Sequence, residues 1–299
     1  MNMVHVEETV QKTGDEFVLI PTGDWHLGAA DCAEEKLRSD VAAWAKIPNA
    51  RLLLMGDLME CIDYRDKRFF PQELPPRYAD ALLNSDGGIP SESVAHALEI
   101  LEPWRESGRI WAIATGNHER KLEVTQSRNL TAEVARECGI SHRQIGYGGF
   151  VHVTFRSKQS GKATIGSLVI DVHHGWQTAG RGGSGNLLNG MERELGNSNA
   201  DIILRGHSHA PRVGQIIPSL DVTKNRVREW PRIVSSTGTY KRGSVETKQG
   251  GAPKETYELF KGFRGRLDSG LGPPRIIIRP DSNTSGRRNV PTFEYEVII

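Results

Sequence analysis

Short apolar runs separated by glycine, proline and charge set the pattern of this chain. Phe17-Val18-Leu19-Ile20, Arg51-Leu52-Leu53-Leu54-Met55, Ile110-Trp111-Ala112-Ile113-Ala114 and Asp201 to Arg205 are brief and almost wholly apolar. Such runs are expected of strands covered on both faces. Between them, Ala33 to Lys46 places Leu37, Val41 and Trp44 at helical spacing and stops before Pro48. Ser91 to Arg105 does the same with Val94, Leu98 and Leu101, behind a Pro90-Ser91 start. A long polar helical region is predicted after Glu119, running to Glu137 and stopping at Gly139. Phe150 to Arg156 alternates apolar and polar residues and is predicted to pair with Ala163 to Val172 across Ser160-Gly161. A short helix is expected from Asn186 to Leu195. Beyond it, Val213 to Ile217, Arg232 to Ser236, Pro274 to Ile278 and Phe293 to Ile299 are strand candidates with few helices between them. The chain therefore reads as α/β, with antiparallel sheet concentrated in its latter half and no internal repeat.

The stretch 61–90 breaks the pattern. Pro71, Pro75, Pro76 and Pro90 forbid one continuous helix, and Asp86-Gly87-Gly88 is a turn signal. It reads as a long irregular loop, a feature that in compact domains tends to be functional or disordered. Within it, Tyr64-Arg65-Asp66-Lys67-Arg68-Phe69-Phe70 interleaves cations and aromatics in a way suited to a nucleotide's phosphate and base, and Arg68 is the candidate contact. A packed loop with a solvated basic rim is the plainer alternative.

Composition adds little except at the ends. With 299 residues the chain could hold two average domains, but α/β architectures of this size often fold as one. The net charge of +1 hides an asymmetry: from Asp221 onward there are 15 Lys and Arg against 9 Asp and Glu. A basic tail can face phosphates or simply be solvated. Cys32, Cys61 and Cys138 are odd in number and widely spaced, which suits reduced thiols better than a disulfide framework. Met1 to Glu16 is polar and mixed in charge without a signal-peptide core, and no apolar run is long enough to span a bilayer. The expected compartment is the cytoplasm, with no membrane partner.

The chemistry gathers where the apolar runs end. Asp24 and His26, Asp57, Asn117 and His118, His173 and His174, and His207 and His209 each follow one of five such segments. At a strand end, residues at i and i+2 point to the same side, so Asp24/His26 and His207/His209 should each converge on one small volume. In open α/β sheets, ligands bind beyond the carboxyl ends of the strands, where these clusters can meet. Carboxylates, an amide oxygen and imidazoles together suit borderline divalent ions such as Mn²⁺, Zn²⁺ or Fe rather than Ca²⁺ or Mg²⁺. Singly, each Asp or His is more often a capping or packing residue. Arg181-Gly182-Gly183-Ser184-Gly185 resembles a phosphate loop but lacks the Gly-Lys-Ser/Thr ending, leaving Arg181 as a candidate substrate contact.

Taken in order, Asp24-x-His26, Gly56-Asp57-x-x-Glu60, Gly116-Asn117-His118-Glu119, His174-Gly175 and Gly206-His207-x-His209 resemble the pattern of calcineurin-like metallophosphoesterases. The resemblance spans Asp24 to His209 and leaves the C-terminal third without a recognised motif. It implies a four-layer α/β/β/α sandwich with mixed sheets. Residues 1–299 would form a single domain, with 61–90 as a substrate-side insertion and 220–299 as strands completing the second sheet. It also implies two divalent ions, manganese first, with zinc, iron or nickel as alternatives. One ion would take Asp24, His26, Asp57 and His209, and the other Asp57, Asn117, His174 and His207. His174 is preferred over His173 because the family's histidine usually precedes a glycine, which leaves His173 as a substrate-side neighbour. Two such ions roughly 3.5–4 Å apart lower the pKa of a bridging water, so the implied nucleophile is a hydroxide. His118 is the implied general acid for the leaving oxygen. Glu60 or Glu119 would orient it, with Glu60 preferred by analogy.

One departure narrows the substrate. Phosphoprotein phosphatases of this superfamily carry Gly-Asp-x-Val-Asp-Arg-Gly, whereas Glu60 here is followed by Cys61-Ile62-Asp63, without the phosphate-gripping arginine. His173 to Gly185 and Asp66-Lys67-Arg68-Phe69 are more similar to phage and bacterial members grouped with DNA exonucleases and phosphodiesterases. The expectation is thus an enzyme, a metal-dependent phosphodiesterase acting on nucleic acid or nucleotides. The alternatives are a phosphomonoesterase or small-nucleotide phosphatase, and a non-catalytic binding module of the same fold. A homo-oligomer or a partner ATPase stays open. His5, His96, His142 and His152 read as ordinary surface or helix positions, and Tyr240 and Tyr257 as unassigned aromatics near the basic tail.

Overall fold

The apolar runs become the central strands of two mixed sheets. The computed structural model describes residues 2–66, 69, 74–84, 86–159, 161, 163–175, 189–190, 193, 198–209, 214–223, 226–242, 244–245, 254–255, 271–280 and 292–296. Its elements in chain order begin with β1 (Asn2–Val10), β2 (Phe17–Thr22), α1 (Glu34–Ala45), β3 (Ala50–Leu54), α2 (Pro76–Asn84), α3 (Gly88–Leu101) and β4 (Ile110–Ala114). There follow α4 (Asn117–Gln126), α5 (Leu130–Glu137), β5 (Gln144–Gly146), β6 (Gly148–Ser157), β7 (Thr164–His173) and β8 (Ile202–Arg205). The last are β9 (Gly214–Thr223), β10 (Arg226–Ser236), β11 (Ser244–Val245), β12 (Lys254–Glu255), β13 (Arg275–Arg279) and β14 (Thr292–Glu296).

One six-stranded sheet runs β14-β13-β2-β3-β4-β5 and the other β1-β6-β7-β8-β10-β9, while β11 and β12 form a small ribbon. In the first sheet β2, β3, β4 and β5 are mutually parallel. In the second, β7, β8 and β10 are parallel to one another. Each sheet thus offers parallel strands whose carboxyl ends share an edge, the arrangement in which loop residues from distant parts of a chain can meet.

Two apolar layers hold this frame. Phe17, Leu19, Leu53, Trp111, Ile276 and Ile278 of the first sheet pack against Val151, Val153, Phe155, Ile170, Ile202 and Ile233 of the second. The opposite face of the first sheet, with Ile20, Leu52, Leu54 and Ile113, meets α1, α3 and α5 through Leu37, Val41, Val94, Ile100 and Val134. The described layers are therefore helix, sheet, sheet. The expected helix from Asn186 to Leu195 lies almost wholly outside the described residues. Among those residues no helix is long and apolar enough to cross a membrane.

Several expectations need correcting. The polar N-terminus is a strand: Val4, Val6 and Val10 alternate with exposed residues, and β1 pairs in parallel with β6. Glu8 completes its inward face and is satisfied there by the Arg51 guanidinium (2.6 and 2.7 Å) and the Trp111 indole (2.6 Å). The irregular stretch 61–90 contains α2, for which Pro76 supplies the first residue, a position where a missing N–H costs nothing. The next helix, α3, starts at Gly88, ahead of Pro90, which sits in its first turn. The polar helical region expected after Glu119 begins earlier, at Asn117, and is two helices, because Ser127 adopts a left-handed φ of 55° and the Asn129 side chain caps α5 by accepting from Ala132 N. Of the strands from Gly214 onward, β9 and β10 join one large sheet and β13 and β14 the other, while β11 and β12 pair apart.

Candidate metal centre

Every strand end singled out by its polar residues arrives at one edge. Asp24 and His26 follow β2, Asp57 follows β3, Asn117 and His118 open α4 after β4, His173 and His174 close β7, and His207 and His209 follow β8. The convergence is real, but its backbone is not that of a strand. Asp24, His26, Asp57, His207 and His209 all have positive φ, between 46° and 65°. Left-handed conformations in non-glycine residues cost energy and cluster where a site requires them. The crossing of the loops after β3 and β4 is equally constrained: Gly56 has φ +87°, and a Cβ there would lie 2.5 Å from Gly116 N. A side chain at that position would push the Asp57 and Asn117 loops apart.

Two groups of donor atoms share one carboxylate. Asp24, His26, Asp57 and His209 form one, and Asp57, His174 and His207 the other. Each offers one atom per residue, all within 4.8 Å of one another, so either group could hold a metal ion. The His26 ring makes the chemistry specific. Its Nδ1 lies 2.6 Å from Glu60 Oε2, a carboxylate that only accepts, so Nδ1 carries the proton. Burial pulls the His26 pKa down to about 4, which keeps the ring neutral. Nε2 is therefore a bare lone pair. It faces His209 Nε2 at 2.8 Å, Asp57 Oδ2 at 3.8 Å and Asp24 Oδ1 at 3.9 Å.

His174 repeats the arrangement in the second group. Its Nδ1 donates to the Met55 carbonyl (2.9 Å), turning Nε2 toward Asn117 Oδ1 and Asp57 Oδ2, each 3.1 Å away. Burial would lower its pKa, but the Asp57 charge outweighs that and raises it to about 10, so an imidazolium occupies the place a cation would take. The backbone N–H of His207 donates to Asp24 Oδ2 and that of His118 to Asp57 Oδ1, which fixes both carboxylates. Their other oxygens, Asp24 Oδ1 and Asp57 Oδ2, are buried and face only imidazoles, His209 at 3.5 Å and His174 at 3.1 Å, and among the described residues His207 Nδ1 is buried without a hydrogen-bond partner. Buried acceptors pointed at one another are costly unless a cation sits among them. This donor set fits divalent ions.

His118 and Glu60 take different places from those expected. His118 Nδ1 donates to the Glu60 backbone carbonyl at 2.6 Å, whereas the Glu60 carboxylate stays 3.8 Å away and binds His26 instead. The His26–Glu60–His118 grouping is thus internally hydrogen-bonded rather than a third set of bare ligands. Glu119 does not orient His118 either: it accepts from the backbone N–H groups of Asp57, Met59 and Gly116 at 3.0–3.1 Å and ties the two loops together. Burial and the Asp57 charge nevertheless push its pKa up.

Of the two adjacent histidines, His174 enters the cluster. His173 lies outside it, accepting the Gly175 N–H on Nδ1 at 2.8 Å, while burial lowers its pKa to about 4. Arg68 and Arg181 lie outside the described residues, as does Tyr257. Tyr240 is no surface contact: its ring is buried in the helix-side core and its hydroxyl donates to Asp40 Oδ2 at 2.7 Å. His96 is buried too, between the Tyr78 hydroxyl (3.0 Å) and Glu34 (2.8 Å). Two contributors had no motif to mark them. Tyr147 sets its ring edge-on to His173 and His174 and donates to the Gly175 carbonyl, and Lys241 enters from beyond β10.

No protein-family model matches the chain, and no curated protein matches it. The functional reading rests on the geometry.

Proposed function

We propose that this protein is a dinuclear-metal-dependent phosphoesterase that hydrolyses phosphodiester bonds in nucleic acid or nucleotides. The observation that carries the reading is Asp57, a buried carboxylate shared by two adjoining sets of ligand-type atoms, with Oδ2 facing His26 of one set at 3.8 Å and His174 of the other at 3.1 Å. Asp24, His26, Asp57 and His209 would hold one ion, and Asp57, Asn117, His174 and His207 the other. Mixed nitrogen and oxygen donors suit borderline divalent ions, and the family resemblance puts Mn²⁺ first, with Zn²⁺, Fe or Ni²⁺ as alternatives. When bound, such a pair supplies Lewis acidity toward phosphate oxygens and activates water. The order of the ligand-bearing strand ends and the helix–sheet–sheet layering support placing the fold with the calcineurin-like metallophosphoesterase sandwich.

The chain's own part is positioning and proton transfer. With Nδ1 held by the Glu60 carbonyl, His118 exchanges a proton through Nε2 and is the donor for the departing oxygen. Its ring packs edge-on to His26 with centroids 4.8 Å apart, which holds it beside the ligand cluster. The polynucleotide preference is supported by Tyr64, exposed on the loop that follows Glu60 with the Arg65 guanidinium 5.0 Å from its ring centroid. A cation and an aromatic side by side suit a phosphate and a base.

Hydrolysis of bis-p-nitrophenyl phosphate by EDTA-stripped protein, with and without added Mn²⁺, tests the activity. Metal-dependent turnover that Asp57→Asn abolishes is expected, and wild-type rates in Asp57→Asn would refute the assignment. A panel of single- and double-stranded DNA, cyclic nucleotides and phosphomonoesters then separates diesterase from monoesterase.

A further inference from the structure

Behind the ligand cluster lies a charge that the sequence motifs do not mark. Lys241 follows β10, only 6% of it is exposed, and its Nζ sits between two carboxylates: Asp31 Oδ1 at 3.5 Å and Glu60 Oε2 at 3.9 Å. Its backbone is fixed beside the start of α1, where the Ala33 N–H donates to the Tyr240 carbonyl. Lys241 bridges to Cys32, its N–H donates to Thr239 Oγ1, and the N–H groups of Tyr240 and Arg242 donate to the carbonyls of Asp24 and Asp31. The segment therefore clamps both ends of the loop that carries Asp24 and His26.

We propose that Lys241 is a positioning residue for His26, acting through the Glu60 carboxylate. Glu60 Oε2 is the oxygen that both Lys241 Nζ and His26 Nδ1 approach. The ammonium on one side and the imidazole N–H on the other fix where that oxygen sits, and Glu60 is the acceptor that His26 Nδ1–H meets. That acceptor fixes the tautomer and aims Nε2 at Asp24, Asp57 and His209. Carboxylate–histidine supports of this kind typically contribute about 10–100-fold to metal affinity. His174 takes its orientation from the Met55 carbonyl and makes no use of Lys241. The effect should accordingly fall on one ion of the pair.

The proposal rests on the metal reading above, and one experiment separates their fates. Manganese binding to the EDTA-stripped full chain is measured by calorimetry and electron paramagnetic resonance for wild type, Lys241→Met, Glu60→Gln and the double variant, with Lys241→Gln as the milder substitute should Lys241→Met not fold. Wild type should bind two ions. Lys241→Met should weaken one of them about 10–100-fold and spare the other. Adding Lys241→Met to Glu60→Gln should weaken binding no further. Wild-type affinities in Lys241→Met, or losses that multiply in the double variant, would overturn the role of Lys241. A wild type that binds no manganese would remove the metal reading and this inference together.

Discussion

Residue by residue, the site is a set of ligand-type atoms aimed at each other. His26 and His174 both commit Nδ1–H to an oxygen behind them, and both present Nε2 to carboxylates. That arrangement separates the two adjacent histidines, which spacing alone could not do. Successive residues of a strand face opposite sides, so only one of His173 and His174 can reach the cluster, and the Met55 and Gly175 contacts show which. The i, i+2 pairs were legible for a related but different reason: they do converge, through left-handed turns beyond β2 and β8 rather than through strand alternation. The role of Glu60 was not legible, because a side chain bonded to one histidine and a carbonyl bonded to another look identical in sequence. For His118 the expected result is specific. His118→Ala should keep its manganese and lose about 10²–10⁴-fold in rate on oligonucleotides. It should lose much less on p-nitrophenyl esters, whose leaving group needs no proton. Steady-state kinetics on the two substrates checks this, and equal losses would remove the general-acid role.

At the scale of elements, period-two and period-3.6 patterns located most of the strands and helices but failed where polar residues hid them. In β1 the inward positions are Val4, Val6, Glu8 and Val10, and the buried glutamate masks the alternation until Arg51 and Trp111 are known to meet it. The prolines that ruled out a continuous helix in 61–90 also start one, since Pro76 is harmless at a first position. Among the described residues, the partners of Glu8 are Arg51 and Trp111, neither of them a metal ligand. Removing one partner of a buried pair leaves the other uncompensated, so Glu8→Ala should cost about 3–5 kcal/mol. Urea denaturation should show that loss, with manganese affinity unchanged in the folded variant. A cost below about 1 kcal/mol would mean that Arg51 finds water instead.

For the whole molecule, the buried histidines make metal-free stability depend on pH from both sides. His26 and His173 have folded pKa values lowered from 6.5 to about 4. The unfolded chain thus binds more protons in that window, and stability falls as pH drops from about 6.5 toward 4. His174 is shifted the other way, from 6.5 to about 10, so its contribution is full below 6.5 and is lost as pH rises toward 10. Denaturation of the EDTA-treated protein across this range should show greatest stability near pH 6.5. Manganese should move the optimum upward, because the ion replaces the His174 proton. A monotonic rise through pH 9 without metal would contradict the charge assignment.

The central claim is that two ions share Asp57. Titrating metal-free protein with Mn²⁺ while recording electron paramagnetic resonance tests it most directly. Two ions per chain with the spectrum of an exchange-coupled pair, and loss of that coupling in Asp57→Asn, are the results expected. A single uncoupled ion, or a coupled pair that persists in Asp57→Asn, would contradict the account.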